Sequence, residues 1–130
     1  MSDETTRALI DAATAVRQRA YAPFSRFRVG AALETASGEI FVGCNVENSS
    51  YGLTICAERI AVGAAIAAGH DTFTRVVVAS NGKASPCGAC RQFLAEFGDL
   101  EVIMVDPEGT ITHAHALSVL LPEQFKLEPR

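Results

Sequence analysis

Arg75-Val76-Val77-Val78-Ala79 decides the fold. Three β-branched residues in succession, with no polar position between them, describe a strand covered on both faces, which belongs in the middle of a sheet. Its cover must come from the neighbouring segments. Upstream, an Ala-rich stretch from Cys56 to Ala68 ends at Gly69, the pattern of a buried helix closed by a left-handed glycine. Downstream, Ser85 before Pro86 reads as a helix start. There the hydroxyl caps and the proline occupies the first turn without losing a needed donor, and Gly98 marks that helix's end. Glu101 to Val105 is a further strand, Thr110 to Thr112 a short one, and Ala116 to Leu121 a last helical turn or two before Pro122.

Toward the N-terminus, Phe27 to Leu33 and Glu39 to Cys44 read as two strands joined by Glu34-Thr35-Ala36-Ser37-Gly38, whose glycine can take positive φ. Before them, Ala8, Leu9, Ala12, Ala13, Val16 and Ala20 recur at helical intervals from Glu4 to Ala20, and Pro23 closes the run. A hairpin followed by strands alternating with helices predicts an α/β fold, a mixed sheet with helices on both faces. With 130 residues, 48% of them apolar, the chain is expected to form one domain over 1–130 around a single core.

The formal charge of −4 offers no basic surface for a phosphate backbone, so nucleic acid is not an expected partner. Met1 to Thr6 is polar and acidic, unlike a secretory signal, which leads us to expect a cytoplasmic protein. The longest apolar stretch, Ile60 to Ala68, is far short of the roughly 20 residues a bilayer requires, and no membrane association is expected.

In such a chain the four cysteines are expected to be metal ligands, reactive thiols or buried residues, not disulfide partners. Cys87-Gly88-Ala89-Cys90 at a helix start brings two thiols to one place, which suits zinc or a redox pair about equally. Cys56, at another helix start, tips the balance: two helix N-termini would set three thiolates around one cation, with both dipoles favouring the ionised sulfur. Three protein ligands leave a tetrahedral zinc one open position for water, the mark of a catalytic site. Glu58, on the same helical turn as Cys56, could reach that water without binding the metal.

Three thiolates on a divalent ion leave the cluster negative, and a nearby cation would restore the metal's Lewis acidity. Arg59 and Arg91 are candidates to donate to the sulfurs, against the plainer alternative of solvent-facing helix residues. Cys44 as a fourth ligand would close the site and make it structural, but that leaves Glu58 without a task; a small buried hydrophobe is the simpler role. His70, His113 and His115 match no ligand spacing relative to the cysteines.

Ligand-x-Glu followed by Pro-Cys-x-x-Cys is the arrangement of the nucleobase deaminases. Tyr21-Ala22-Pro23-Phe24-Ser25, Val29-Gly30-Ala31-Ala32-Leu33, Asn45-Val46-Glu47-Asn48, Tyr51 to Arg59, Ser85 to Gln92 and Leu121-Pro122-Glu123-Gln124-Phe125 together resemble the small zinc-dependent cytidine deaminases over nearly the whole chain. The resemblance implies a five-stranded mixed sheet and a homotetramer with active sites shared between subunits. It implies one Zn2+ per subunit on Cys56, Cys87 and Cys90, and a pyrimidine-salvage hydrolase that converts cytidine and deoxycytidine to uridine and deoxyuridine. In that reaction a zinc-bound hydroxide attacks C4 while Glu58 carries the protons. It also implies that Asn45 and Glu47 hold the ribose hydroxyls, that Phe24, Ala57 and Phe125 line the substrate site, that Arg59, Arg91 and Gln92 support the metal ligands, and that Tyr51 lies at a subunit junction. Core packing is the alternative for either phenylalanine, and a polar loop with a local turn the alternative for Asn45 and Glu47. A deaminase of a cytosine-containing antibiotic such as blasticidin S, or from another class a structural zinc module, is the rival reading of the whole.

Overall fold

Gly38, at φ +89, turns the chain between strands β1 (Val29–Thr35) and β2 (Ile40–Cys44), which pair antiparallel with Gly30 opposite Cys44 and Glu34 opposite Ile40. The computed structural model describes residues 3–82 and 85–129; Met1 and Ser2, part of the polar stretch noted above, lie outside the described residues. Helix α1 (Asp3–Arg17) precedes the hairpin. After it come α2 (Ala57–Ala67), β3 (Phe73–Ser80), α3 (Gly88–Ala95), β4 (Glu101–Val105), β5 (Ile111–Ala116) and the single turn α4 (Leu117–Leu120). The five strands are ordered β2-β1-β3-β4-β5, with β3 and β4 parallel and every other pair antiparallel. The valine strand is therefore central, as its sequence demands.

Alternate residues of the central strands serve two cores. Val76 and Val78, with Ala31 and Leu33, face α2, α3 and α4, where Ala61, Val62, Leu94 and Leu117 complete the packing. Val77 and Ala79, with Ala32, face α1 through Leu9, Ile10 and Ala13. Helices therefore lie on both faces. Ala8, expected in the apolar stripe of α1, is turned to solvent, while Ile10 takes a buried place. Helix α1 also stops at Arg17, short of Ala20, because the Tyr21 amide donates to Asn45 O and draws the chain into an extended bridge beside Val46.

Two glycines permit helix and sheet to meet. A Cβ on Gly30 would lie 2.2 Å from Ala13 O in α1, and one on Gly43 would lie 2.5 Å from both Ala57 O and Ala61 N in α2. The backbone of α2, which carries the start of the site, thus rests directly on β2.

Strand β5 is longer than the three residues expected and is exposed at every position. Its Thr-His-Ala-His-Ala sequence has no apolar face to announce a strand, and pairing to β4 supplies what side-chain burial does not. Helix α3 begins at Gly88, not at the Ser85-Pro86 start read from the sequence, for a reason that lies in the site.

Candidate active site

Two helices begin at cysteines. Cys56 and Cys87 occupy the positions before α2 and α3, each in extended backbone, and Cys90 sits buried one turn into α3. The sulfurs of Cys56, Cys87 and Cys90 all lie within 4.8 Å of one another, with Cys56 Sγ and Cys87 Sγ 3.9 Å apart. The Cys87 sulfur is itself the cap of α3, accepting from the Cys90 amide at 3.4 Å. Cys87 thus takes the capping role that the sequence assigns to Ser85, and the helix start moves to Gly88.

Three sulfurs so placed fit one thiophilic ion of tetrahedral preference and leave it an open position. Cys44 is not a member of the cluster, so the four-thiolate structural set does not form among the described residues. Of the hydrogen-bonded pair Cys56 and Cys90, Cys56 is the thiol prepared for ionisation. Cys56 is pulled down to about 5, chiefly by its hydrogen bond with Cys90; burial opposes this, while Arg59 and Cys87 assist. Cys90 is pushed up, first by that same bond and then by burial.

Glu58 stands in the first turn of α2, where the helix dipole favours a carboxylate. Burial wins: at 4% exposure, and with the Cys56 charge nearby, its carboxyl is raised to about 7, desolvation being the largest cause. A group so poised can both take and give a proton near neutral pH.

Glu58, Ala57, Cys56, Cys87 and Asn45 line one cavity of about 200 Å³ together with Phe27, Val29, Thr54, Val78 and Ser85. Phe24 is not part of that wall. Its side chain is half exposed, and its backbone amide donates to Glu47 Oε1 at 2.9 Å. The aromatic that reaches the cavity is Phe27, three residues later, beyond a left-handed Arg26 at φ 60 that redirects the chain. The two phenylalanines flank one short loop, and nothing in their spacing distinguishes them.

Asn45 and Glu47 are both engaged with backbone. Asn45 Oδ1 accepts from Val29 N at 2.9 Å and its Nδ2 donates to Phe27 O at 2.8 Å. Glu47 Oε1 accepts from the amides of Phe24 and Ser25, and Oε2 from the Ser25 hydroxyl. These bonds, the Ser25 hydroxyl first, hold the Glu47 carboxyl below its ordinary range against the effect of burial. Each side chain thereby fixes the loop that presents Phe27, a task the Asn-x-Glu spacing does not reveal.

Arg59 Nη2 donates to Cys56 Sγ at 3.5 Å, and its Nε is buried without a hydrogen-bond partner among the described residues. Arg91, the other candidate for a sulfur, turns elsewhere. Its Nε donates to Pro86 O at 2.8 Å, Nη1 to Leu120 O at 2.7 Å and Nη2 to Ser85 Oγ at 2.6 Å. Carbonyls surround it on two sides and outcompete a weaker sulfur acceptor. Gln92 Nε2 donates to Phe125 O at 2.9 Å, tying the tail to α3, while the rings of Phe125 and Tyr51 stand in solvent at 68% and 81% exposure.

Residues 3–106 match the family model described as the cytidine and deoxycytidylate deaminase zinc-binding region. A probable cytidine deaminase of Dictyostelium discoideum is 51% identical over 131 residues, covering 98% of this chain and 88% of that protein. A cytidine deaminase of Sporosarcina psychrophila is 43% identical, covering 92% of this chain and 90% of that protein. The crystal structure of cytidine deaminase from Burkholderia pseudomallei superposes with a TM-score of 0.87 at 46% identity, covering 96% of this chain and 100% of that one. With this sheet order, three converging thiols and a buried glutamate at the mouth of α2, the chain belongs to the cytidine and deoxycytidylate deaminase zinc-binding family.

Proposed function

We propose that this protein hydrolyses cytidine and deoxycytidine to uridine and deoxyuridine with release of ammonia, as a zinc enzyme of pyrimidine salvage. The observation that carries the proposal is a buried carboxyl, Glu58, raised to about 7 in the same cavity as two of the three clustered thiols. Cys56, Cys87 and Cys90 would hold the zinc, which supplies Lewis-acid activation of water at neutral pH.

The remaining steps belong to the chain. Glu58 takes a proton from the attacking water, delivers one to N3 of the pyrimidine, and passes the next to the departing amine. Phe27, Val29, Val78 and Ala57 keep solvent from the flat base and give it apolar walls. Asn45 retains one amide hydrogen and one lone pair beyond its backbone bonds, enough to donate to and accept from a sugar hydroxyl at the cavity edge. Glu47 completes the sugar site from behind by holding the Phe24–Ser25 turn. Arg59 draws negative charge off the Cys56 sulfur, which keeps the three-thiolate set from quenching the ion it holds.

A homotetramer with shared sites is part of the proposal. The cavity of about 200 Å³ falls below the roughly 300 Å³ of ordinary ligand pockets, as a site lacking one wall would. Tyr21, Phe24, Tyr51, Leu53 and Phe125 stand more than half exposed, an apolar load that a second copy would cover. No helix among the described residues is long and apolar enough to cross a membrane.

The test is loss of cytidine absorbance in the ultraviolet, run on a preparation of measured zinc content, for the native chain and Glu58→Gln. The native protein is expected to turn over cytidine and deoxycytidine, and the variant to lose at least about 10²-fold in kcat while keeping its zinc. A zinc-replete native protein inert toward both nucleosides, or a fully active variant, refutes the reading.

A further inference from the structure

Beside the active-site cavity, with which it shares Ser85, a second cavity collects metal-ligating side chains that the deaminase reaction does not use. It has a volume of about 410 Å³ and is lined by Ser85, Met104, His113, His115 and Leu120. His113 and His115 lie two apart on β5, so both side chains project from one face of the sheet. On the neighbouring strand the matching positions of that face are Met104, opposite His113, and Val102, opposite His115. Val102 and Met104 are buried and apolar, yet the face continues onto β5 as two exposed imidazoles.

The rings are stacked at 29°, with centroids 6.2 Å apart. Two imidazoles sharing one ion at a metal–nitrogen distance of about 2.1 Å have centroids no more than about 6.5 Å apart. The observed separation therefore falls within the span of a shared ligand. Both rings are exposed, and the contact of His113 Nδ1 with Thr112 Oγ1 at 3.3 Å leaves its Nε2 as the nitrogen to turn toward a point shared with His115. Met104 lines the same space, and its thioether would add a soft donor.

We propose that His113 and His115 form a second cation site, distinct from the three-thiol cluster. It takes a divalent transition ion of the imidazole-preferring class, such as Ni2+, Cu2+ or Zn2+ in excess of the resident ion. Imidazole nitrogen with a thioether in reserve selects these ions over Mg2+ or Ca2+, which require oxygen. Zinc at the three thiols is held by charged sulfur, so the two sites fill in sequence, the cysteines first.

Nickel(II) is the probe, since it binds imidazole well and does not oxidise thiols. Zinc-loaded protein of measured stoichiometry is titrated calorimetrically with Ni2+ alone, and its zinc is quantified again afterwards. The expected result is one Ni2+ per chain with zinc retained, weakened at least tenfold in His113→Ala and in His115→Ala and unchanged in His70→Ala, whose imidazole pairs with Glu39, just before β2 at the opposite edge of the sheet from β5. Deaminase turnover of the three variants should match the native protein, which separates failure here from failure of the active-site reading. The inference is overturned by absence of nickel uptake, by uptake matched by zinc loss, or by binding that survives in both β5 variants or falls equally in His70→Ala.

Discussion

Replacing Gly43 by Ala adds one methyl group to β2, at the point where α2 lies on the sheet. That carbon would stand 2.5 Å from Ala57 O and from Ala61 N, and 2.9 Å from the Ile60 Cβ. Ordinary contact begins near 3.4 Å, so α2 must withdraw by about 0.9 Å. The obstacle is helix backbone, which cannot rotate out of the way as a side chain would. Overpacking of this kind costs about 1–3 kcal/mol, and backbone obstruction places Gly43→Ala at the upper end. For a domain of this size that corresponds to a fall in Tm of roughly 10 °C.

The catalytic cost should be larger than the cost in stability. Helix α2 starts at Ala57 and carries Glu58 in its first turn, with Cys56 as its cap, whereas Cys87 and Cys90 belong to α3 and do not move with it. A shift of about 1 Å between groups that must act together is worth about 10²-fold in rate. Gly63→Ala is the control. It lies in the same helix, and a Cβ there meets nothing within 4 Å, so the substitution should gain up to about 1 kcal/mol in helix propensity and leave turnover intact. Thermal unfolding and kcat, both on zinc-quantified protein, decide the matter. A Gly43→Ala protein within about 2 °C and twofold of the native values would show that the helix does not lean on β2 as described.

Three further outcomes are expected. Phe27→Ala should raise KM for cytidine about tenfold, the equivalent of about 1.4 kcal/mol of aromatic contact, while Phe24→Ala changes it less than about threefold; steady-state kinetics on both variants test the exchange of roles. Arg91→Ala frees Ser85 and Pro86 from α3 and Leu120, so zinc should pass to a chelator at least about tenfold faster, as followed by a colorimetric indicator, with Arg91→Lys recovering only part of the difference because one ammonium cannot replace three directed bonds. The third concerns the buried pair Glu34–Arg75. Glu34 has its carboxyl lowered chiefly by the bond from Arg75, with Thr74 assisting and burial opposing, so its folded value lies below the ordinary 4.5. A depressed carboxyl stabilises fully above the unfolded value and loses that contribution as pH falls through the folded one. Denaturant midpoints measured downward from pH 5 should therefore fall more steeply for the native chain than for Glu34→Gln, and parallel slopes would deny the coupling.

The sequence disclosed most where one residue type admits few environments. Val76 to Val78 had to be central and Gly69 had to end a helix, both from local chemistry, while a third cysteine at a second helix start tipped the Cys87–Cys90 pair from redox chemistry toward a shared metal. It was silent where a side chain serves the backbone of a distant segment. Nothing in Arg91 states that carbonyls from Pro86 and Leu120 will reach it before a sulfur does, because Leu120 lies 29 positions away and only the fold brings it near. The same holds for Cys87, whose sulfur displaced Ser85 as the cap of α3, and for β5, whose pairing partner alone makes it a strand.

Asn45 and Glu47 carry this argument into the substrate site. A polar pair in a loop suggests direct recognition, yet each spends part of its hydrogen-bonding capacity on the turn that presents Phe27. In the proposed function, sugar binding at Asn45 and base binding at Phe27 would be mechanically joined, since an Asn45 side chain shifting toward a hydroxyl would pull on Phe27 O and Val29 N. Under the proposed function, such a linkage would let a small cavity with few polar groups favour a nucleoside over its free base. A sugar held at Asn45 would then also set the wall against which the pyrimidine lies, so that the binding energy of a non-reacting part would orient the reacting one.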